Sequence, residues 1–459
     1  MNKINELESK PVAKLLVQYS LPAVLGLFVN SLYTVIDRIF IGNIPDIGAL
    51  ALTSIGLTMP ITTVILALSA LIAFGAASNI SIRLGEGKQE EAENTAGNAI
   101  LLSVVTGITI TVLYLIFENQ ILGLLGIQGQ TLPYAKAFIT IIVLGTVFNM
   151  LGFAFPILVR SDGSPTFSAI ITLTGCVLNI GLDALFILVF HMGIQGAAIA
   201  TVLSQFVTVI LGFFYFQRRQ TTLRLMKQNF KLQRDTMKAI VLIGLVPFSN
   251  QLSISIAQIV SNYSLKLYGG ELAVGAMTVI ASIASIFLMP VYGISQGFQP
   301  IIGFNWAKKR NDRTMETLSL AVVFSGVILA VGTLLVWIFP EFVVGLFNRD
   351  VELTGIAVNG IRKYMLLLPL AAIPTFGIGF MMLTGKVQAA VSLNIARQCV
   401  ILAFTIYFLP KAIGTDGLWY AQPVTDFLSS ILMVILFVKG YGHILRGKTP
   451  SKDRKTFNS

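Results

Sequence analysis

The sequence predicts an all-α integral membrane protein with twelve transmembrane helices in two pseudo-symmetric six-helix bundles. Of its 459 residues, 55% are hydrophobic and only 12% are charged, and the mean hydropathy is +0.81. Soluble globular domains do not reach such values. A helix needs about 20 apolar residues to cross a bilayer, and many segments meet that length. Short motifs of the first half also recur, in the same order, in the second half.

Apolar runs separated by charged residues, glycine and proline predict the positions of the twelve spans. In the first half we expect spans at 14–43, 50–80, 92–117, 130–160, 165–190 and 194–217. In the second half we expect spans at 237–268, 272–306, 313–339, 354–385, 388–410 and 415–440. The resulting units are a first lobe at 1–217, a cytoplasmic basic linker at 218–236, a second lobe at 237–440 and a cytoplasmic basic tail at 441–459.

The basic residues are shared unevenly between the two sides of the membrane. With the N-terminus inside, lysine and arginine favour the cytoplasmic segments by about four to one, as in other multi-pass proteins. Arg362 and Lys363, at the outer end of the tenth span, are an exception that does not reverse this bias. We therefore expect a multi-pass protein of the cell inner (plasma) membrane with both termini in the cytoplasm. The net charge of +11 is then a topology signal, and no nucleic-acid partner is expected.

The two halves repeat each other at a constant offset. Pro22 aligns with Pro247 at the same offset that places 46–53 over 271–278. An even number of spans per repeat gives both halves the same orientation, so an axis along the membrane normal relates them. This architecture is typical of transporters that open a central cleft alternately to the two sides of the membrane.

Two acidic residues lie deep within predicted spans, where a charged side chain costs about 2.5–3.5 kcal/mol. Asp37 is in the first span and Asp183 is in the fifth. At about 1.5 Å of rise per residue, both lie roughly 10 Å below the outer surface. Asn179 lies one turn from Asp183 on the same helical face, and Thr201 of the sixth span lies at a similar depth.

These four residues predict an oxygen-lined cation site. Two carboxylates, an amide oxygen and a hydroxyl suit Na⁺, or they hold protons when burial and mutual repulsion favour a neutral carboxyl group. No cofactor other than Na⁺ or H⁺ as the coupling ion is expected. An ion pair between Asp37 and Arg38 is the alternative, but adjacent residues on a helix do not face each other. Asn179 and Thr201 can equally be ordinary hydrogen-bonding residues between helices.

The second half carries different polar residues at the corresponding depth. Asn262 occupies the aligned position of Asp37, and no acid matches Asp183. Arg397 and Asp426 both fall near the membrane midplane, in the eleventh and twelfth spans, and can pair there. Such a pair is either a structural bridge, which we favour, or a second proton-linked site.

Polar residues also follow one face of the seventh and eighth spans at a spacing of three or four residues. This polar stripe comprises Gln251, Ser255, Gln258, Asn262, Tyr292 and Gln296. Together with Tyr33, Asn149 and several phenylalanines and methionines of the other half, it predicts an adaptable substrate cleft. Packing between helices is an equally good interpretation of any single member.

Several segments spread over almost the whole chain are specific in their order and spacing. They are Pro22, Tyr33, 37–42, 83–88, 160–163, Asn179, Asp183, 293–300, 303–306 and 417–423. In these segments the chain resembles the multidrug and toxic compound extrusion family, and particularly its bacterial and archaeal branch with acidic residues in the N-terminal half.

The resemblance implies antiport, in which Na⁺ or H⁺ enters down its gradient while a drug-like organic cation leaves. It also implies residue roles: the cation site is expected at the positions of Asp37, Asn179, Asp183 and Thr201, and a bend of the first helix at Pro22. The chain departs from the branch that has an acid on the seventh span, because Gln251 and Gln258 stand there. A coupling site in the second half is therefore not expected.

The nearest alternative is a flippase for lipid-linked precursors, whose helical repeats look similar. A flippase would need several basic residues in the cleft to hold a pyrophosphate, whereas away from the span ends these spans contain only Arg38 and Arg397. An enzyme is not expected, because the chain has only His191 and His443 and no recognisable catalytic arrangement. We expect a monomer whose partners are small-molecule drugs, organic cations and the lipid bilayer.

Overall fold

The computed structural model describes residues 10–217, 221 and 223–445. This part of the chain consists of helices joined by short turns and contains no β-strand. The fifteen α-helices, numbered in chain order, are α1 Val12–Gly42, α2 Gly48–Gly85, α3 Gln89–Leu124, α4 Leu132–Leu144, α5 Thr146–Ser161, α6 Pro165–Asp183, α7 Gly193–Phe216, α8 Arg234–Ala307, α9 Asn311–Ile338, α10 Pro340–Gly345, α11 Val351–Tyr364, α12 Ala372–Leu383, α13 Val387–Ile395, α14 Leu402–Ile413 and α15 Thr415–Leu445.

The described residues form twelve membrane crossings. Nine helical segments are long and apolar enough to cross a bilayer, and the bent pairs α4–α5 and α11–α12 each form one more crossing. The twelfth crossing arises because one of the nine segments, in α8, crosses twice. Helix α8 has 74 residues and would extend about 110 Å at the usual rise, far beyond a hydrocarbon core of about 30 Å. Gly270, with a φ of 76°, divides it into two crossings. Asn262 and Thr278, on either side of this glycine, accordingly meet the same residue, Gly56.

The predicted twelve-helix, two-bundle architecture is confirmed, but two kinds of helix irregularity were not predicted. Helices α4 and α5 meet at an angle of 56°, and α11 and α12 meet at 55°. A π-helical turn follows α6 at Ala184–Val189, and another separates α13 from α14 at Ala396–Ile401. Each irregularity occurs in the corresponding span of both halves. Turns of π-helix are rare and frequently lie at functional sites.

The two halves meet along two long helix pairs. Helix α1 packs against the 271–307 arm of α8, and α2 packs against its 234–269 arm. Small residues allow the backbones to approach closely, as is usual between helices in membranes. A methyl group added at Gly244 would lie 2.0 Å from the carbonyl oxygen of Leu71. These contacts, with that of Arg38 to Ser282, place the C-terminal third of α1, where Asp37 lies, next to the second half.

The predicted linker is bound to the first half where it is described. The backbone N–H groups of Arg224 and Gln233 donate to side chains of α3, Glu93 at 3.1 Å and Asn98 at 2.8 Å. Asn98 also donates to the carbonyl of Lys231 at 3.0 Å. Positions 218–220 and 222 of the linker, and 446–459 of the tail, lie outside the described residues. We call this end of the molecule the linker end.

The opposite end, which we call the distal end, joins the two halves through their loops. The side chain of Asn43 donates to the carbonyl of Leu346 at 2.9 Å. Reciprocally, the side chain of Asn348 donates to the carbonyl of Gly42 at 2.6 Å. These hydrogen bonds connect the first half to the second half and close the distal end between these loops.

Candidate functional site

The structure brings Asp37 of α1 and Asp183 of α6 together in the first half. Their carboxyl groups lie against each other, and we call them the carboxyl pair. Asp183 has 0% exposed surface. Asp37 Oδ1 and both carboxyl oxygens of Asp183 are buried and receive no hydrogen bond from the described residues. A buried carboxylate without donors is strongly unfavourable, so the carboxyl pair requires a proton or a cation to neutralise it.

Asn179 and Thr201 lie beside the carboxyl pair. Asn179 is 2% exposed and donates from Nδ2 to Thr201 Oγ1 at 3.4 Å. Its Oδ1 is buried without a donor, so this site contains four such acceptor oxygens, three from carboxyl groups and one from an amide. Among the described residues no group of three or more His, Cys, Asp and Glu side chains assembles. An all-oxygen site with two carboxyl groups fits Na⁺ or H⁺.

Asp183 directly precedes a change in helix geometry. It is the last residue of α6, and the π-helical turn Ala184–Val189 begins at the next residue. A π-helical turn bonds residues five apart instead of four, so the side chains after Asp183 are rotated relative to those of a regular helix. The spacing of residues in the sequence does not reveal this turn, because a spacing of three or four residues predicts neighbouring side chains only on a regular α-helix.

Arg38 points away from the carboxyl pair toward the second half. Its Nη1 donates to Ser282 Oγ at 2.5 Å, and its Nη2 lies 3.9 Å from Met59 Sδ. Tyr33 lies one turn before Asp37 and within electrostatic range of both Asp37 and Arg38. Adjacent residues of α1 therefore contact different halves of the protein, as helical geometry predicts.

Arg397 and Asp426 form an ion pair in the second half, which confirms their predicted pairing. Arg397 Nη2 donates to Asp426 Oδ1 at 2.7 Å. Gln422 Nε2 lies 3.2 Å from each carboxylate oxygen of Asp426 and donates to this group. Asp426 is 1% exposed. Its charge is thus compensated by an arginine and an amide, which favours the structural interpretation of this pair.

Three residues of the predicted polar stripe bind helix α2. Pro60 lacks the N–H that would bond the carbonyl of Gly56 within a regular helix. Asn262 Nδ2 donates to that carbonyl at 2.8 Å. Ser255 donates to the carbonyl of Pro60 at 3.0 Å, and Gln258 accepts a hydrogen bond of 2.8 Å from a threonine of α2. Helix packing is therefore the correct interpretation of Ser255, and it describes part of the role of Gln258 and Asn262.

Gln258 and Asn262 also line a cavity of about 240 Å³ between α2 and the second half. We call it the second-half cavity. Five further polar side chains line it, among them Tyr364 of α11, Gln398 of the second π-helical turn and Gln422 of α15. Sequence reasoning missed these three residues, because they come from separate helices whose association no spacing in the sequence indicates.

The other predicted cleft residues do not line the second-half cavity. Tyr292 and Gln296 are exposed on α8, and Tyr292 lies within electrostatic range of Tyr364. Tyr33, Asn149 and Gln251 are partly buried on α1, α5 and α8. Pro22 falls within α1, and its side chain lies outside the described part of the structure. The substrate and hinge roles of these residues stay predictions.

Two repeats of six crossings, a buried carboxyl pair and a polar cavity between the halves define a multi-pass membrane transporter. A sequence profile described as MatE matches residues 22–185 and 247–408, one stretch in each half. Because these stretches cover well over half of its length, the chain belongs to the MatE family, whose members are transporters and not enzymes.

Individual relatives agree with this assignment. The multidrug export protein MepA of Staphylococcus haemolyticus (strain JCSC1435) is 26% identical over 429 residues, which cover 94% of each chain. The inward-facing conformation of a multidrug resistance MATE family transporter of the MOP superfamily matches with a TM-score of 0.86 and 22% identity, covering 94% of this chain and 100% of the other. An outward-facing conformation of a multidrug resistance MATE family transporter of the MOP superfamily matches with a TM-score of 0.74 and 23% identity. This match covers 96% of this chain and 98% of the other. These similarities show that the fold is shared.

Proposed function

We propose that this chain is a multidrug efflux transporter that exports amphipathic or cationic organic molecules in exchange for Na⁺ or H⁺. In this proposal it lies in the plasma membrane with both termini and the linker end in the cytoplasm. The observation that carries the proposal is the carboxyl pair with its donor-free buried oxygens. Its relative MepA is described as a multidrug export protein, which supports small organic molecules as cargo.

The carboxyl pair supports ion coupling because its own surroundings do not neutralise it. Two ionised carboxylates side by side repel each other, and burial removes the water that would stabilise them. A bound Na⁺ or proton relieves both costs. Opening of the site to water favours release of the ion. The occupied and empty forms of the site therefore favour different conformations, which is the requirement for an ion to drive a conformational cycle.

Ion entry supplies enough free energy for useful export. Net inward movement of one charge yields about 2.3 kcal/mol per 100 mV of membrane potential. Since about 1.4 kcal/mol corresponds to a tenfold ratio, this sustains roughly a fiftyfold cargo gradient. For a singly charged cargo, two ions per cycle provide this net charge movement.

Alternating access requires that the halves separate at one end while they meet at the other. The bonds from Asn43 and Asn348 across the distal end must then break in the outward-open state. We assign the cargo path to the region between the halves, which includes Tyr33, Asn149 and Gln251. Pro22 is assigned as the bending point of α1, because a proline inside a helix removes one backbone hydrogen bond.

The test uses vesicles that contain the purified protein and are loaded with ethidium. An inward Na⁺ gradient or an inward proton gradient is imposed, and ethidium efflux is followed by fluorescence. Wild type is expected to export ethidium under at least one gradient. Asp37→Asn and Asp183→Asn are each expected to reduce gradient-driven efflux to the level of protein-free vesicles, because an amide neither carries a proton in exchange nor attracts a cation.

Asp312→Asn is the matched control, because Asp312 is an exposed acid in the first turn of α9. It is expected to export at the wild-type rate. Full efflux by both carboxyl-pair variants would reject the ion site. Absence of wild-type efflux under either gradient would instead reject the proposed function itself.

A further inference from the structure

We propose that the outer face of the linker binds the anionic headgroups of phospholipids in the leaflet at the linker end. We call residues 223–234, which lie after α7 and include the first residue of α8, the linker strap. This surface takes no part in the proposed export of organic molecules, and its binding of lipid is independent of the coupling ion and of the cargo. The occupant is the lipid of the surrounding bilayer.

Side chains of the first half hold the linker strap in one orientation. Asp162, directly after α5, accepts a hydrogen bond of 2.6 Å from the backbone N–H of Leu223. Further along the strap, Asn229 Nδ2 donates to Asn94 Oδ1 of α3 at 2.8 Å. A Cβ added at Gly97 of α3 would lie 2.3 Å from the carbonyl oxygen of Asn229, so the strap crosses α3 in direct contact. Leu223 and Asn229 are buried against the first half, which turns the other face of the strap outward.

The outward face of the linker strap combines positive charge with apolar surface. The strap contains no acidic residue, and its exposed basic residues are Arg224, Lys227, Lys231 and Arg234. Met226 and Leu232 lie among them and are 47% and 44% exposed. Basic residues interleaved with apolar side chains are typical of segments that lie on an anionic membrane surface.

Neighbouring acids leave the charge of the linker strap uncompensated. Glu91, at the start of α3, pairs with Arg83 and Lys88 of the preceding turn. Glu93 accepts from the backbone of Arg224, and its side chain is buried. Among the described residues no acid forms an ion pair with the four basic side chains of the strap. The strap therefore presents a net positive face to its surroundings.

The linker strap lies on the lipid-facing side of α3. Asn98, which donates to the carbonyl of Lys231 at 3.0 Å, has 0% exposed surface. Val105 and Val112 follow at intervals of seven residues, or two turns, so they lie on the same face of α3. They are 43% and 48% exposed, as expected of side chains that meet acyl chains. The face of α3 that the strap covers is thus continuous with a face that meets lipid.

The depth of the linker strap matches that of lipid headgroups. Asn98 is seven residues, about 10 Å of helical rise, from Val105. The headgroup region is roughly 5–8 Å thick on each side of the hydrocarbon core. Lysine and arginine at this depth bind phosphate oxygens while their apolar stems lie along the acyl boundary. A soluble acidic protein would have to displace these headgroups to reach the strap, which favours lipid as the occupant.

The first experiment measures the unfolding temperature of the purified protein in detergent as phosphatidylglycerol or phosphatidylcholine is added. A ligand that binds the folded state raises the unfolding temperature. Wild type is expected to respond at lower concentrations of phosphatidylglycerol than of phosphatidylcholine. The triple variant Lys227→Gln, Lys231→Gln and Arg234→Gln is expected to need about tenfold more phosphatidylglycerol for the half-maximal increase, because three headgroup contacts are lost.

The matched control removes the same charge from exposed positions of the linker end outside the strap. It is the triple variant Lys14→Gln, Lys309→Gln and Lys439→Gln. Because salt screens charges that lie far apart, this control is expected to stay within about threefold of wild type. An equal loss in the control would show dependence on net charge alone and overturn the proposal. Equal responses of wild type to the two lipids would also overturn it.

The second experiment tests whether the strap meets lipid or water. Leu232→Cys, in a background with Cys176→Ser and Cys399→Ser, carries a fluorescent label in bilayer nanodiscs of phosphatidylglycerol or phosphatidylcholine. Quenching by acrylamide, which is uncharged and water-soluble, is expected to be about twofold weaker in phosphatidylglycerol, because the label then lies among headgroups. Glu90→Cys in the same background is the control, since Glu90 is exposed in the first turn of α3. Its label is expected to be quenched equally in both lipids.

Equal quenching at Leu232 in the two lipids would show a strap that is open to water and available to a soluble acidic partner, which would reject lipid as the occupant. The labelled variants keep all four basic residues of the strap, so this measurement stands if the triple variant fails to fold. Neither experiment requires transport. Failure of the export assay therefore leaves both results interpretable, and failure here leaves the proposed export function unaffected.

Discussion

The two halves place a π-helical turn in corresponding spans, yet each turn is associated with a buried acid in opposite surroundings. In the first half, Asp183 precedes the turn and no described residue donates a hydrogen bond to its carboxyl oxygens. In the second half, Arg397 lies within the turn and binds Asp426, which also accepts from Gln422. The comparison teaches that burial alone does not define a functional acid. The donors around it decide whether it holds a permanent charge or needs an exchangeable ion.

The largest loss of folding free energy is expected when the ion pair of Arg397 and Asp426 is broken. Asp426→Ala leaves the guanidinium of Arg397 unpaired, which costs about 3–5 kcal/mol of folding free energy. The measurement is denaturant unfolding of the purified protein in detergent. The double variant Arg397→Met with Asp426→Leu is the control and should regain most of the loss, because no unpaired charge remains. Wild-type stability of Asp426→Ala would show that the pair has no structural role.

A smaller loss of unfolding free energy is expected when a residue of the polar stripe is replaced. Asn262→Ala leaves the carbonyl of Gly56 without a donor, which costs about 1–3 kcal/mol. Pro60→Ala restores the missing backbone N–H and should make the loss of Asn262 much smaller, so that a double-mutant cycle in unfolding free energy gives a clear coupling. Additive losses in this cycle would mean that Asn262 does not compensate for the proline.

A substitution in the carboxyl pair is expected to change the unfolding free energy only slightly, in contrast to a substitution of Asp426. Asp183→Asn preserves side-chain volume and removes a buried carboxyl group for which the described part of the chain supplies no hydrogen-bond donor. Its unfolding free energy should stay within about 1 kcal/mol of wild type, although the same change is expected to abolish coupled export. A loss comparable with that of Asp426→Ala would assign Asp183 a structural role and remove the difference between the two halves.

The smallest effect is expected at the surface of the linker end. Lys88 and then Arg83 lower the pKa of Glu86 below its ordinary value of 4.5. A lowered pKa stabilises the fold above the unfolded pKa, and this stabilisation is lost as the pH falls through the folded pKa. The side chain is exposed, so solvent screens these interactions. Glu86→Gln should leave the unfolding temperature unchanged between about pH 6 and 8, and a measurable shift would show an unusually strong surface network.

Much of the architecture follows from one requirement of the bilayer. Each crossing must bond its own backbone and present apolar side chains to lipid, so hydropathy and length predict all twelve spans. The same regular geometry predicts that Asp37 and Asp183 lie level and that Arg38 faces elsewhere. The bends between α4 and α5 and between α11 and α12 were not predictable in this way, because a local break in a helix leaves no hydropathy signal.

The sequence by itself determined the membrane class, the repeated halves and the level position of the two acids relative to each other, because these depend on composition and on distance along one helix. Only the tertiary structure decided which polar groups have donors. Among the described residues Asp183 has no hydrogen-bond donor, whereas Asp426 is paired with Arg397. Tyr364, Gln398 and Gln422 meet around one cavity. The physical reason is that donors and cavity walls come from different helices, whose relative rotation depends on side-chain packing across the whole protein.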